Sequence, residues 1–350
     1  MKIILDAMGG DNAPEEIVKG ALLAVEEFKV DIVLVGHGEQ ILKCLHEQGC
    51  KEIPKGIEIA HASDVITMED DPTTAVRRKK DSSMTVALKL LKDGGGDAMV
   101  SAGSTGALLS GATLVVKRIK GIRRAAMAPY IPTKTGGCLL IDCGANVECT
   151  PEYLLQFAYM GSYYVKSVIG IPEPRVGILN IGTEDTKGLE LQKEAGKLLK
   201  NANKEGRINF IGNIEAREVA LGGCDVVVTD GFSGNVFLKT MEGVGLLLLS
   251  ELKKVFTKNL KTKIAAALVM SDVKGLKKRF DVSEVGGTAL LGISKPVIKA
   301  HGSSDAYSIR SAISQAINTV NAGVVEDIQD NVWHMRLENV AEATEEEKQM

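Results

Sequence analysis

The sequence predicts an α/β protein with a three-layer α/β/α architecture around a mainly parallel sheet. Short β-branched runs alternate with helical patterns along the chain, the order that strand–helix–strand units produce. Most of these runs are apolar at successive positions instead of alternating, as in strands covered by helices on both faces. Six of them end in polar, glycine-bearing turns. In an open parallel sheet such turns lie along the carboxyl edge, where ligands bind.

The elements follow in order. Lys2–Asp6 is the first strand, and DAMGGDNAP leads from it to a helix at Glu15–Phe28. Asp31–Val35 and Ile57–Ala60 are the next strands. A helix at Ser82–Leu91 precedes the strand Ala98–Ala102, whose turn SAGSTGA enters the helix Gly106–Lys117. Leu139–Asp142 ends in DCGAN. Val176–Ile181 runs into NIGTEDTKG and the helix Glu190–Lys200. Asn209–Ile211 is short, and Val226–Thr229 ends in TDGFSGN. Val297–Ala300 ends in HGSSD ahead of a helix at Ser308–Ala322. The domain organisation expected is one catalytic domain over residues 1–335, or two subdomains within it, and a polar tail at 336–350.

Composition narrows the function classes. The 350 residues carry 45% hydrophobic and 25% charged side chains, an ordinary globular mix that excludes wholesale disorder. A formal net charge of −3 gives no global field that would attract nucleic acid. The six cysteines contain no C-x-x-C pair and are expected to be reduced thiols. The start, MKIILDAMGG, has only a five-residue strand-like run, too short for a secretory signal core. The longest apolar run, Ile264 to Met270, has seven residues, far below the roughly 18 that span a bilayer. A cytoplasmic protein is therefore expected.

Glycines in the six turns let backbone approach a ligand, and the helix N-termini that follow present free N–H groups to an anion. For one turn, ordinary punctuation is an adequate account; six together suggest a polar, anion-binding cleft. Nucleotide motifs are missing: there is no G-x-x-x-x-G-K-[ST], and Gly36-His37-Gly38 is followed by Ile41 where G-x-G-x-x-G needs its third glycine. H-E-x-x-H and G-x-S-x-G are absent too.

Two basic segments stand out. Arg77, Arg78, Lys79 and Lys80 precede Asp81-Ser82-Ser83; they form either a solvated loop before a helix cap or a docking patch for an acidic partner. Residues 244–281 carry nine basic and three acidic residues. Within this helical insertion Leu249, Leu252, Phe256 and Leu260 step by three and four into one apolar stripe, with Lys254, Lys258 and Lys261 opposite. Lys263 falls back on the apolar side, so a helix end or bend is expected near it. The stripe suits a core or dimer contact, or a helix lying on an anionic membrane.

Taken together, DAMGGDNAP (Asp6–Pro14), AVRRKKDSSM (Ala75–Met84), SAGSTGAL (Ser101–Leu108), DCGAN (Asp142–Asn146) and GTEDTKG (Gly182–Gly188) resemble the phosphate acyltransferase family. FIGNIEAR (Phe210–Arg217), VVTDGFSGN (Val227–Asn235) and PVIKAHGSSD (Pro296–Asp305) extend the resemblance over nearly the whole chain. It implies a fold related to the phosphate acetyltransferase and isocitrate–isopropylmalate dehydrogenase folds, and a homodimer. It also implies reversible transfer of a fatty acyl group from acyl-acyl-carrier-protein to inorganic phosphate. The acyl phosphate would pass to a membrane glycerol-3-phosphate acyltransferase, which implies a cytoplasmic enzyme peripherally associated with the membrane. No cofactor and no metal is implied. Two alternatives share the architecture: a CoA-dependent phosphate acetyl- or butyryltransferase, and an NAD-dependent decarboxylating dehydrogenase.

The residues suit the acyl-transfer chemistry. Phosphate, with a second pKa of ~6–7, is already ionised, and a leaving thiol of pKa ~8.5 needs little acid help. What remains is to hold two anions together and stabilise an oxyanion with fixed donors. Lys187 is the expected cation, unless it is a surface lysine opening a helix. Asn235 is a donor to the thioester carbonyl or an N-cap. His301 is an acid, a neutral donor or a structural histidine. Gly103, Ser104 and Thr105 are candidates for a phosphate nest. Gly9, Gly10, Asn146, Thr183, Glu184, Asp185, Ser303 and Asp305 complete the expected phosphate and substrate site. Asp6, Asp142 and Asp230 are expected to orient donors. Arg77–Lys80 would dock the carrier protein, and Leu249, Leu252, Phe256 and Leu260 would contact the membrane. Cys143 offers a rival route through an acyl-cysteine.

Overall fold

A computed structural model of the chain describes residues 1–280 and 286–335. The expected tail at 336–350 and Asp281, the last residue of the basic insertion, lie outside the described residues.

Twelve strands fall into two sheets among the described residues. The first contains β1 (Lys2–Asp6), β2 (Asp31–Gly36), β3 (Ile57–His61), β4 (Ala98–Ser101), β5 (Ala126–Ala128), β11 (Thr288–Leu291) and β12 (Val297–Lys299), in the order β3-β2-β1-β4-β12-β11-β5. The second contains β6 (Tyr130–Thr133), β7 (Gly136–Ile141), β8 (Arg175–Asn180), β9 (Asn209–Glu215) and β10 (Val226–Val228), in the order β6-β7-β10-β8-β9. From β3 to β12 every pairing in the first sheet is parallel, and β11 and β5 add an antiparallel edge. In the second sheet only β6 runs antiparallel. The architecture is thus the expected mainly parallel α/β one, with the strands divided between two sheets. The strands that sequence patterning misses, β5, β6 and β11, have only three or four residues each and sit toward the antiparallel edges.

Side-chain alternation along each strand explains the layering. Ile3 and Leu5 enter a core that also takes Leu139, Ile141 and Val226, so the two sheets share one apolar interior. Ile4, Val33 and Met99 point the other way, onto Leu88 and Leu91 of α4 (Ser83–Lys92). Cys138, Leu140 and Val227 form a third cluster on the opposite face of the second sheet. Ile3, Ile4 and Leu5 are all fully buried, each contributing roughly 1.5–3 kcal/mol.

Helices α1 (Glu15–Phe28) and α11 (Ala306–Asn321) pack at Gly20, where a Cβ would lie 2.6 Å from that of Ile309. Helix α2 (Gly38–Glu47) follows β2. Helix α6 (Pro151–Tyr164) is buried at ten of its 14 positions; a helix apolar on all sides shows no one-sided stripe in its sequence. Thr150 caps it, accepting from Tyr153 N–H at 3.4 Å. The remaining helices of the body are α3 (Ala75–Arg78), α5 (Thr105–Gly111), α7 (Glu190–Lys204), α8 (Ala216–Ala220) and α12 (Val324–Asn331). A π turn prolongs α5 to Val116.

The basic insertion forms a helical pair, α9 (Gly231–Thr257) and α10 (Leu260–Phe280). Gly231 and Gly234, in the first turn of α9, are buried, and Phe237, Leu238 and Met241 pack against the third cluster; beyond Met241 this 27-residue helix is mostly exposed. The break comes at Lys258–Asn259, earlier than Lys263, because Asn259 starts the second helix. Its Oδ1 accepts from Thr262 N–H and its own N–H donates to Thr262 Oγ1, both at 3.0 Å. Among the described residues no helix is long and apolar enough to cross a membrane.

Candidate active site

The six glycine-bearing turns are divided as the strands are. Those after β1, β4 and β12 belong to the first sheet, those after β7, β8 and β10 to the second.

The first three interlock through backbone. A Cβ on Gly9 would sit 2.7 Å from Gly103 N, so the turns after β1 and β4 touch where only glycine fits. Asp11 N–H donates to Gly302 O at 2.8 Å, tying the β1 turn to the β12 turn. Gly10, at φ +107°, lies between Ala102 and Gly302. Asn12 Nδ2 lies 3.2 Å from the carbonyls of both Ser303 and Ser304. Beneath them Asp6 is buried; its Oδ2 accepts from Ser101 Oγ at 2.7 Å, and Ser101 Oγ accepts from Gly103 N–H at 3.1 Å. Burial pushes the Asp6 carboxyl above the usual aspartate range, against the pull of hydrogen bonds from Ser83 and Ser101. Asp6 thus braces the turns after β1 and β4 from below.

Lys299 of β12 completes this floor. It is 7% exposed, and its Nζ donates to the carbonyls of Ala102 and Ala300. Burial lowers its pKa to about 8, partly offset by Asp6 and Asp11. Sequence reasoning missed Lys299, although a lone lysine in the apolar run PVIKA is the signal that would find it. Ser104 is buried and Thr105 partly exposed at the start of α5. His301 is exposed; its Nδ1 accepts from Ser303 N–H at 3.3 Å and lies 2.8 Å from Ser303 Oγ. In the neutral ring that arrangement leaves the proton on Nε2. Asp305 caps α11, its Oδ1 accepting from Ser308 N–H and Oγ at 2.9 and 2.8 Å, which holds its carboxyl below the usual range. Oδ1 thus faces the start of α11.

The second three turns are each closed by their own side chain. Asp142, fully buried, accepts with Oδ1 from Met127, Cys143 and Ala145 N–H and with Oδ2 from Asn146 N–H and Nδ2. Burial nevertheless keeps its pKa raised. Asn146 Nδ2 also donates to Ala125 O at 2.8 Å, so this amide braces the turn. After β8, Asn180 accepts from Ile181 N–H and donates to Lys187 O at 3.1 Å. Glu184 O accepts from Lys187 N–H and from Asn213 Nδ2, and Thr183 is exposed beside it. Asp185 pairs with Lys200, away from the role expected of it. Lys187 is exposed, and among the described residues no salt bridge engages its ammonium.

After β10, Asp230 is the N-cap of α9, accepting from Ser233 N–H at 2.8 Å. Asn235 is therefore not the cap; it lies in the second turn of α9, exposed. A Cβ on Gly144 would come within 3.7 Å of the Asn235 side chain, so Asn235 flanks the DCGAN turn. Gly234 permits this closeness: its Cβ would lie 2.0 Å from Asp142 O. Cys143 is buried, and burial pushes its thiol up to about 12.

Of the basic run, Arg77, Arg78 and Lys80 are exposed, whereas Lys79 bonds Asp70 at 2.8 Å and Val65 O at 2.8 Å, and Asp70 raises its pKa. Lys79 thus anchors a loop, a correction to its expected docking role. On the helical pair, Leu249 and Phe256 are half-buried and Leu260 is exposed, with Leu252 between them in exposure. A further exposed set, Leu246, Leu247, Leu248, Val255, Ile264 and Leu268, was not in the predicted stripe.

Comparison with known proteins follows these features. The family described as "Fatty acid synthesis protein" matches residues 1–327. The chain is 50% identical over 333 residues to a phosphate acyltransferase of Oceanobacillus iheyensis, covering 95% of this chain and 97% of that one. It is 45% identical over 341 residues to a phosphate acyltransferase of Clostridioides difficile, covering 97% and 98%. Among solved structures, a phosphotransacetylase from Streptococcus pyogenes superposes with a TM-score of 0.62 at 20% identity, over 93% of this chain and 94% of that one. A branched-chain phosphotransacylase from Enterococcus faecalis does so at 0.58 and 15%, over 91% and 99%. These two likenesses are of fold.

Proposed function

The chain belongs to the fatty acid synthesis protein family, and we propose that it transfers a fatty acyl group from the thioester of acyl carrier protein to inorganic phosphate. The protein is an acyltransferase with phosphate as acceptor. The donor, and the acyl phosphate's use in phosphatidic acid synthesis, are our reading.

The observation that carries the reading is the 45–50% identity to phosphate acyltransferases over nearly the whole chain, within the fatty acid synthesis protein family. Cys143 is buried, and burial pushes its thiol up. With a thiol pKa about 12, roughly one molecule in 10⁵ is thiolate at neutral pH, too few for an acyl-cysteine route. Phosphate is the nucleophile already available. Its oxygen attacks the thioester carbonyl carbon, and the carbonyl pair moves to oxygen. The oxyanion then collapses, the C–S bond breaks, and the carrier thiolate leaves and takes a proton.

In this scheme the Lys187 ammonium holds phosphate and the developing oxyanion, and Asn235 donates to the carbonyl. Nε2–H of His301 serves the leaving sulfur as acid or neutral donor. The backbone N–H groups of Ser104 and Thr105, at the start of α5, cradle phosphate, with Gly103 bringing the backbone close. Asp142 and Asp6 hold the turns still. Arg78 and Lys80, with Arg77, form the surface offered to the acidic carrier protein. The exposed apolar side chains of α9 and α10, beside lysines, suit a homodimer contact and an anionic membrane surface. In this reading the enzyme is cytoplasmic, works at the membrane periphery and hands acyl phosphate to a membrane glycerol-3-phosphate acyltransferase.

The test is thiol release from palmitoyl-carrier protein with and without inorganic phosphate, trapping acyl phosphate with hydroxylamine. Phosphate-dependent release with a hydroxamate product is expected. Release without phosphate makes the protein a thioesterase. Turnover of acetyl- or butyryl-CoA alone assigns it to the CoA-dependent class.

A further inference from the structure

A cleft of about 640 Å3 beside the turns shares only Arg77 with the scheme above; its volume falls within the roughly 300–1,000 Å3 of small-molecule clefts. Thr74 and Arg77 of the α3 segment and Leu109 of α5 line it, together with Leu114 and Arg118. Arg124 and the Ala145–Asn146 stretch of the DCGAN turn line it as well. Three guanidiniums, Arg77, Arg118 and Arg124, thus share the cleft with one carboxylate, Glu148.

Both ends join the candidate active site. A Cβ on Gly106 would lie 2.8 Å from Pro72, so the α3 segment is seated on the first turn of α5, next to Ser104 and Thr105. On the other side Asn146 is bonded to Asp142 at 2.7 and 3.0 Å. Two of the arginines are held in place: Arg124 stacks 5.5 Å from the Tyr153 ring centroid, and Arg118 donates to Arg123 O.

We propose that this cleft binds the phosphorylated pantetheine arm of the thioester donor. The guanidiniums take its phosphodiester, and Leu109 and Leu114 flank its chain. The proposal rests on the carrier-protein reading. Planar guanidiniums match phosphate oxygens in pairs. An isolated phosphate ion would leave the apolar wall and most of the volume unused; a long arm with one charged end uses both. The position of Arg77 beside exposed Arg78 and Lys80 makes the cleft continuous with the surface proposed for the carrier.

Initial rates with palmitoyl-phosphopantetheine and palmitoyl-pantetheine, at saturating phosphate, test this without any variant. The wild type is expected to prefer the phosphorylated thioester by ~10-fold or more in kcat/KM. Arg77→Gln with Arg124→Gln, or Arg77→Gln alone should the pair not fold, is expected to erase most of that preference while the KM for inorganic phosphate stays put. A wild type indifferent to the arm's phosphate group overturns the proposal. So does a variant that raises the KM for phosphate instead, because the cleft then holds the acceptor. Palmitoyl-carrier protein, run in parallel, separates the two readings: no phosphate-dependent acyl phosphate from it defeats the donor assignment itself.

Discussion

The turns of the first sheet and those of the second are built on opposite plans. Those after β1, β4 and β12 hold one another, glycine against glycine, over the buried Asp6 and Lys299. Those after β7, β8 and β10 are each stapled by a local side chain, Asp142, Asn180 or Asp230, and leave Lys187 and Asn235 in the open. At its interlocked glycines and at Asp6 and Lys299 the first set is a floor, where a substitution is felt as lost stability. The stapled set presents groups, so a substitution there is felt as lost rate.

Gly234→Ala is the largest expected effect and the sharpest test of where this contrast stops. Gly234 belongs to the second set, yet its Cβ would lie 2.0 Å from a backbone oxygen, Asp142 O. The expected loss is about 4 kcal/mol or more, read as a fall in the urea midpoint, since neither backbone can yield. A midpoint near that of the wild type means the α9 start and the DCGAN turn are not locked together.

Lys187→Ala comes next. It is expected to lower kcat/KM by ~10²–10³, the roughly 3–4 kcal/mol of a lost transition-state donor, with the urea midpoint within about 0.5 kcal/mol of wild type because the side chain is exposed. Equal losses of stability and rate would erase the contrast between the two sets.

Lys299 tests the floor by pH. Its folded pKa of about 8 lies below the roughly 10.4 of an unfolded lysine, so between those values the unfolded chain binds more protons. Wild-type stability therefore rises with pH through that window. Relative to Lys299→Met, the wild type is expected to gain up to about 3 kcal/mol between pH 7.5 and 10. A gap that stays constant over that range shows that the ammonium is not desolvated.

Gly9→Ala is the smallest. Its Cβ would meet Asp6 Oδ2 at 2.6 Å and Gly103 N at 2.7 Å, an overpacking cost of ~1–3 kcal/mol. A rate change without a stability change at this position would move Gly9 from floor to substrate contact.

Much of this was legible in the sequence because it is local. Parallel strands with both faces covered read as unbroken apolar runs, and β1, β2, β4, β8 and β10 fall where those runs do. The glycines at the strand ends are needed where the chain turns, and Gly10 and Gly144 do adopt positive φ. Capping is local too: Asp230 and Asp305 lie three residues before the N–H groups they accept. Their side chains nonetheless read equally well as ligands, since an anion near a helix start looks the same from the sequence in either role.

The sequence by itself therefore determined most of the parallel strands, several helix starts and the order of the polar turns, because hydrophobic period and backbone freedom act over a few residues. Only the tertiary structure decided that the strands divide between two sheets and the six turns into two sets of three. It alone took Lys79 to Asp70 and Val65, buried Lys299 under the turns after β1, β4 and β12, and gathered Arg77, Arg118 and Arg124 around one cleft. Those outcomes depend on pairings across tens to hundreds of residues, which the sequence pattern around any one of these side chains does not encode.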